Sequence, residues 1–78
     1  MSWNTHIYVA VLGGRADVWR PVLAERVGET TYAILEQPYD PDSERWSFEP
    51  GDAVECELIQ AGGRKILAAT RKADGMDV

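Results

Sequence analysis

Apolar and polar residues alternate along most of this chain with the period of a strand. Between Thr5 and Leu12, Ile7, Val9 and Val11 point one way, and His6, Tyr8, Ala10 and Leu12 point the other. Aromatic and β-branched residues at period two predict a strand. Both faces are largely apolar, which predicts a central one. Gly13-Gly14 ends it, and Arg15-Ala16-Asp17 continues the loop. From Val18 to Val27, Pro21 and Gly28 would suit a short helix. Val18, Val22 and Val27 favour a strand instead, with Pro21 on an edge or at a bulge. Thr30 to Leu35 is again β-rich, and Gly28-Glu29 predicts a tight hairpin turn before it.

Glu36 to Arg45 is a polar loop with turn residues throughout. Trp46 to Phe48 predicts a short strand. Pro50-Gly51-Asp52 then breaks the chain: proline sets φ for the first turn position and glycine supplies the positive φ of a type II turn. In Ala53 to Gln60 the alternation puts Val54, Cys56 and Leu58 inward and Glu55 and Glu57 outward. Ala61-Gly62-Gly63-Arg64 is a hairpin turn and Lys65 to Thr70 a last strand. Short strands with turns at this spacing predict an all-β fold. In so short a chain the fit is a small, partly open SH3-like barrel of five or six short antiparallel strands. The barrel is expected over residues 3–71, with a frayed C-terminal tail over 72–78.

At 78 residues the chain holds one domain. Its runs of apolar residues are too short to span a membrane, and the N-terminus lacks the pattern of a secretory signal. A cytoplasmic address is therefore expected. The single cysteine excludes an internal disulfide. The 13 acidic and 8 basic residues leave a net charge of −5, which disfavours a phosphate backbone as partner. Nucleic-acid binding would need a local strip through Arg15, Arg20, Arg45 and Arg64.

The residues that could carry chemistry are sparse. His6, the only histidine, has no partner positioned for acid–base work. Cys56 lies on the expected inner face, where cysteine packs as a small hydrophobe. Asp40-Pro41-Asp42-Ser43-Glu44 has three carboxylates but lacks the glycine and register of a calcium loop. Gly13-Gly14-Arg15 and Gly62-Gly63-Arg64 lead into no phosphate-binding helix. No catalytic residue, metal or cofactor is predicted.

Aromatic residues are the suggestive set, with three tryptophans and three tyrosines in one small domain. Tyr8, Tyr32 and Phe48 suit the core. Trp3 precedes the first strand, Trp19 adjoins a proline, and Trp46 and Tyr39 flank the acidic loop. Aromatics beside loops form recognition surfaces. The candidate binding residues are Trp19, Tyr39, Asp40, Asp42, Glu44 and Trp46.

Asp17-Val18-Trp19-Arg20-Pro21-Val22, together with Trp46-x-Phe48-x-Pro50-Gly51, resembles the pattern of a family of small uncharacterised bacterial proteins, over about residues 5 to 70. That resemblance implies a stand-alone domain and carries over no site residues. Residues 19–35 also resemble, more weakly, Tudor-type SH3-like barrels, whose aromatic cages hold methylated lysine or arginine. It implies cage walls at Trp19, Tyr32, Tyr39 and Trp46. The expected function is a non-catalytic module whose aromatic and acidic groove receives a basic or proline-rich segment. A homo-oligomeric structural or regulatory subunit, joined through a strand edge, is the alternative. A nucleic-acid-binding barrel is the third.

Overall fold

A computed structural model of the chain describes residues 4–13 and 18–73. The described residues form six strands and no helix: β1 (Asn4–Leu12), β2 (Trp19–Arg26), β3 (Thr31–Ile34), β4 (Arg45–Trp46), β5 (Ala53–Ala61) and β6 (Arg64–Lys72). β1, β2, β3, β5 and β6 form a ring of paired neighbours, and β4 adds to the far end of β1. Pairing is antiparallel from β1 through to β6. An odd number of alternating strands must close with its first and last pointing the same way. Here β1 and β6 close parallel at a single pair, Tyr8 with Ala68. The result is a small, partly open barrel.

The interior holds Ile7 and Val9 of β1, Val22 and Ala24 of β2, Ile34 of β3, Val54 and Cys56 of β5, and Ala69 of β6, with Trp46 plugging one end. Ile7 and Val9, and Val54 and Cys56, share a buried face as the alternation predicts. Ile66 and Ala68 are also buried, yet they belong to the other face of β6. Their partners across β5 are Ile59 and Glu57, whereas Ala69 faces Cys56. Successive residues of a strand point to opposite faces, so Ala68 and Ala69 are covered from opposite sides, and a bulge at Thr70 follows them.

β2 is a strand, and Pro21 needs no bulge to sit in it. The Leu23 amide and carbonyl face away from β1, where the Gln37 side chain meets them at 3.0 and 2.9 Å. Two residues earlier, Pro21 faces the same way. β3 pairs β2 only over Ala24–Arg26, so the side on which Pro21 lacks an N–H is locally an edge.

The turn at Pro50-Gly51 has the predicted geometry. The Asp52 amide donates to the Glu49 carbonyl at 3.0 Å, and Gly51 has φ of 96°. It does not fold the short strand back onto β5, however. The Gly51 amide donates to Ile34 at 2.8 Å and the Ile34 amide to Asp52 at 2.9 Å, so the turn seats β5 beside β3. The short strand is Arg45–Trp46, and it pairs with Val11 and Leu12 of β1. Its ladder ends where the Ser47 hydroxyl, not its carbonyl, accepts the Ala10 amide at 3.1 Å. Phe48 therefore lies outside it.

Three further expectations change. The β2–β3 connection is a wider loop than Gly28-Glu29, with the Thr31 carbonyl accepting from both Val27 and Gly28. Leu58, expected inward, is 68% exposed. β3 ends its pairing with β5 near Cys56, so the distal half of the β5–β6 hairpin runs past the barrel wall and Leu58 has nothing to pack under. β6 continues to Lys72, opposite Val54, and the Ala73 amide bonds Ala53 at 2.9 Å. The expected tail from Asp74 onward, Trp3 and the Gly14–Asp17 loop lie outside the described residues.

Candidate functional site

The acidic loop and its aromatics come together, but as a packed unit. Trp46 is 8% exposed, and the Tyr39 ring lies 4.5 Å from it, centroid to centroid. The Trp46 amide donates to the Tyr39 hydroxyl at 3.1 Å, and its indole N–H donates to Glu44 Oε1 at 2.9 Å. Arg20 closes the arrangement from β2 through Nε to Oε1 at 2.9 Å and Nη2 to Oε2 at 2.6 Å. These hydrogen bonds, those from Arg20 foremost, hold the Glu44 carboxyl below the usual carboxylate range. Asp40 organises the turn: its carboxylate accepts the Asp42 amide and the Ser43 hydroxyl, each at 3.0 Å. Tyr39, Asp40, Glu44 and Trp46 are thus engaged with one another or with the fold, and Asp42 is exposed beside them.

Trp19 does not join this group. It pairs with Ala10 of β1, whereas Trp46 pairs with the next residue, Val11. Successive residues of a strand point to opposite faces. Trp46 therefore enters the barrel and Trp19 lies on its outside. The expected groove between the two tryptophans does not form, because the wall of β1 stands between them.

Around Trp19 the outer face is itself shaped. Tyr8, opposite Pro21, is its diagonal neighbour across the β1–β2 pair. The β5–β6 hairpin bends over the same face, leaving two adjoining hollows of about 270 and 220 Å³. Trp19, Ala61 and Gly62 wall both; Tyr8, Arg64 and Ile66 complete the second. Arg64 Nη2 donates to the Tyr8 hydroxyl at 2.9 Å, and its guanidinium carbon lies 5.9 Å from the ring centroid. That is near the limit of cation–π reach. The turn residues Gly62 and Gly63, with φ of 61° and 84°, let the strands reverse tightly there. The sequence pattern places Tyr8 in the core and Arg64 in a hairpin turn or a nucleic-acid strip, not beside Tyr8. The outward parity of Tyr8 against Ile7 and Val9 was the available signal. Its meeting with a residue 56 positions away was not.

A larger hollow, about 600 Å³, is an open basin near Leu12, Arg45, Trp46, Glu49, Asp52 and Lys72. Its charges offset one another: Lys72 lies 3.8 Å from Asp52, which also accepts the Glu49 amide at 2.9 Å. Its lining mixes apolar residues, Leu12 and Trp46, with charges of both signs, and Trp46 is held in the core. The arginines considered for nucleic acid are dispersed. Arg20 is paired with Glu44, Arg45 borders the basin, Arg64 lies on the outer face, and Arg15 is outside the described residues.

His6 is exposed. Cys56 is buried, and burial, with Glu55 adding to it, pushes its thiol up to about 11. Among the described residues no group of three or more histidine, cysteine or carboxylate side chains is placed to hold a metal, and no helix is long and apolar enough to cross a membrane. Comparison of the chain with protein-family models, curated proteins and solved structures found no match.

Proposed function

We propose that this protein is a non-catalytic interaction module that receives a proline-rich segment of a partner on its outer face, against Trp19 and Tyr8. One observation carries the reading. Trp19 is a large, half-buried aromatic outside the core that walls two adjoining hollows. The other aromatic singled out with it, Trp46, is taken up by the fold.

The chemistry suits an extended proline-rich chain. Polyproline II has no internal hydrogen bonds and little freedom left to lose, so it docks on aromatic ridges at low entropic cost. Trp19 and Tyr8 are diagonal neighbours, about 7–8 Å apart at the backbone, and can flank a pyrrolidine ring. Arg64 uses Nη2 on Tyr8; its other N–H groups can serve the carbonyls such a segment leaves free. The net charge of −5 favours basic flanks by long-range attraction.

The test is a nuclear magnetic resonance titration with proline-rich peptides and alanine-substituted controls. The Trp19 indole and the amides of Tyr8 and Gly62 should shift, and Trp19→Ala should abolish the response while keeping the fold. No binding tighter than roughly millimolar, about 4 kcal/mol of affinity, would exclude the reading.

A further inference from the structure

The distal half of β5 is a strand edge that the fold leaves open. Even-numbered residues of β5 turn their backbone groups toward β3: the Asp52 carbonyl accepts from Ile34, and the Cys56 amide donates to Thr30 at 2.9 Å. Odd-numbered residues turn toward β6, as the Ala53 carbonyl does in accepting from Ala73. By this parity the amides and carbonyls of Leu58 and Gln60 point away from β6. No strand among the described residues pairs with them there. An open edge in β2 is protected by Pro21 and by the Gln37 side chain. The β5 edge has neither, and Leu58 beside it is 68% exposed.

We propose that this edge pairs with the same edge of a second copy of the chain, antiparallel about a two-fold axis through Ile59. In this register Leu58 of each copy lies opposite Gln60 of the other. Their free amides and carbonyls then form four hydrogen bonds. Ile59 meets its own symmetry mate. Because Ile59 faces Ile66 within each copy, an apolar stripe runs unbroken across the join. Charge selects the same register. Glu57 falls opposite Ala61 of the second copy, whose own partner on that face is Arg64, and the contact occurs twice by symmetry. The two Glu57 carboxylates are kept at opposite ends. The acidic start of the edge thus meets the basic hairpin tip of its mate, an isologous and self-limiting contact.

Sedimentation equilibrium and amide hydrogen exchange over a range of protein concentrations test this. The expected result is a monomer–dimer equilibrium in which the Leu58 and Gln60 amides exchange more slowly as concentration rises. Gln60→Pro removes an edge N–H while sparing the ladder to β6, and should leave a folded monomer. Glu57→Lys places like charges together and should weaken association by about tenfold or more. A wild-type chain that stays monomeric, with exchange at Leu58 and Gln60 independent of concentration, overturns the proposal. So does a dimer unaffected by both substitutions. Ile59 and Gln60 also line the first hollow beside Trp19, so binding of proline-rich peptide is read on the wild-type chain at concentrations where it is monomeric, and either proposal can fail alone.

Discussion

Arg20 and Glu44 meet through two parallel N–H···O bonds, and the same carboxylate takes the indole N–H of Trp46. This contact ties the loop between β3 and β4 to the start of β2 and fixes the tryptophan that closes the barrel. Side-chain exposures of 47% for Arg20 and 29% for Glu44 mean that solvent screens the pair. Its value is chiefly in orienting Trp46.

The first prediction concerns acid. Glu44 is held below the usual carboxylate range by Arg20 and Trp46, and Glu55 by the hydroxyls of Thr30 and Thr31. Folded-state values below the unfolded ones stabilise the protein above the ordinary carboxylate range. That contribution is lost as pH falls through the folded values. The midpoint of thermal unfolding should therefore drop on acidification, and less steeply in Glu44→Gln and Glu55→Gln. Curves that run parallel for wild type and both variants would show that these carboxylates are not perturbed.

The two tryptophans should behave oppositely on truncation. Trp46→Ala empties a core position and should cost about 3–5 kcal/mol, comparable with the whole stability of so small a domain. Trp19→Ala, on the outer face, should cost about 1 kcal/mol. Urea unfolding of the two variants decides it, and equal losses would contradict their placement on opposite sides of β1.

Gly51 should resist substitution for a backbone reason. An added Cβ would meet only the Glu36 carboxylate, at an ordinary 3.7 Å, so space is available. The φ of 96° is what a β-branched side chain cannot adopt without strain. Gly51→Val should cost about 1–2 kcal/mol or more. A loss of a few tenths would mean that the turn changes type at little cost.

Cys56 should be inert while the barrel is intact. Its thiol is buried and pushed up to about 11, so little thiolate is present at neutral pH. A thiol reagent should react slowly with the native protein and rapidly after denaturation. Cys56→Ser should destabilise by about 1–3 kcal/mol, because the hydroxyl enters an apolar site. Fast native labelling would move Cys56 out of the core.

Local chemistry alone determined much of this protein. The alternation of Ile7 and Val9, and of Val54 and Cys56, specifies strands and their buried faces, since a period of two leaves one choice of side. Pro50-Gly51 and Gly62-Gly63 specify turns, because positive φ there is open to glycine and nearly closed to other residues. Tertiary structure decided which strands are neighbours and where each ends. Trp46 pairs with β1 and not β5 because the turn after it is captured by Ile34, a contact invisible in the local pattern. Leu58 has the parity of a core residue and the exposure of a surface one, because β3 is too short to cover it. The candidate site followed the same division. Its aromatic character was legible in composition. The separation of Trp19 from Trp46, and the meeting of Trp19 with Tyr8 and Arg64, depend on how five strands close into a ring, and on contacts between residues far apart in sequence.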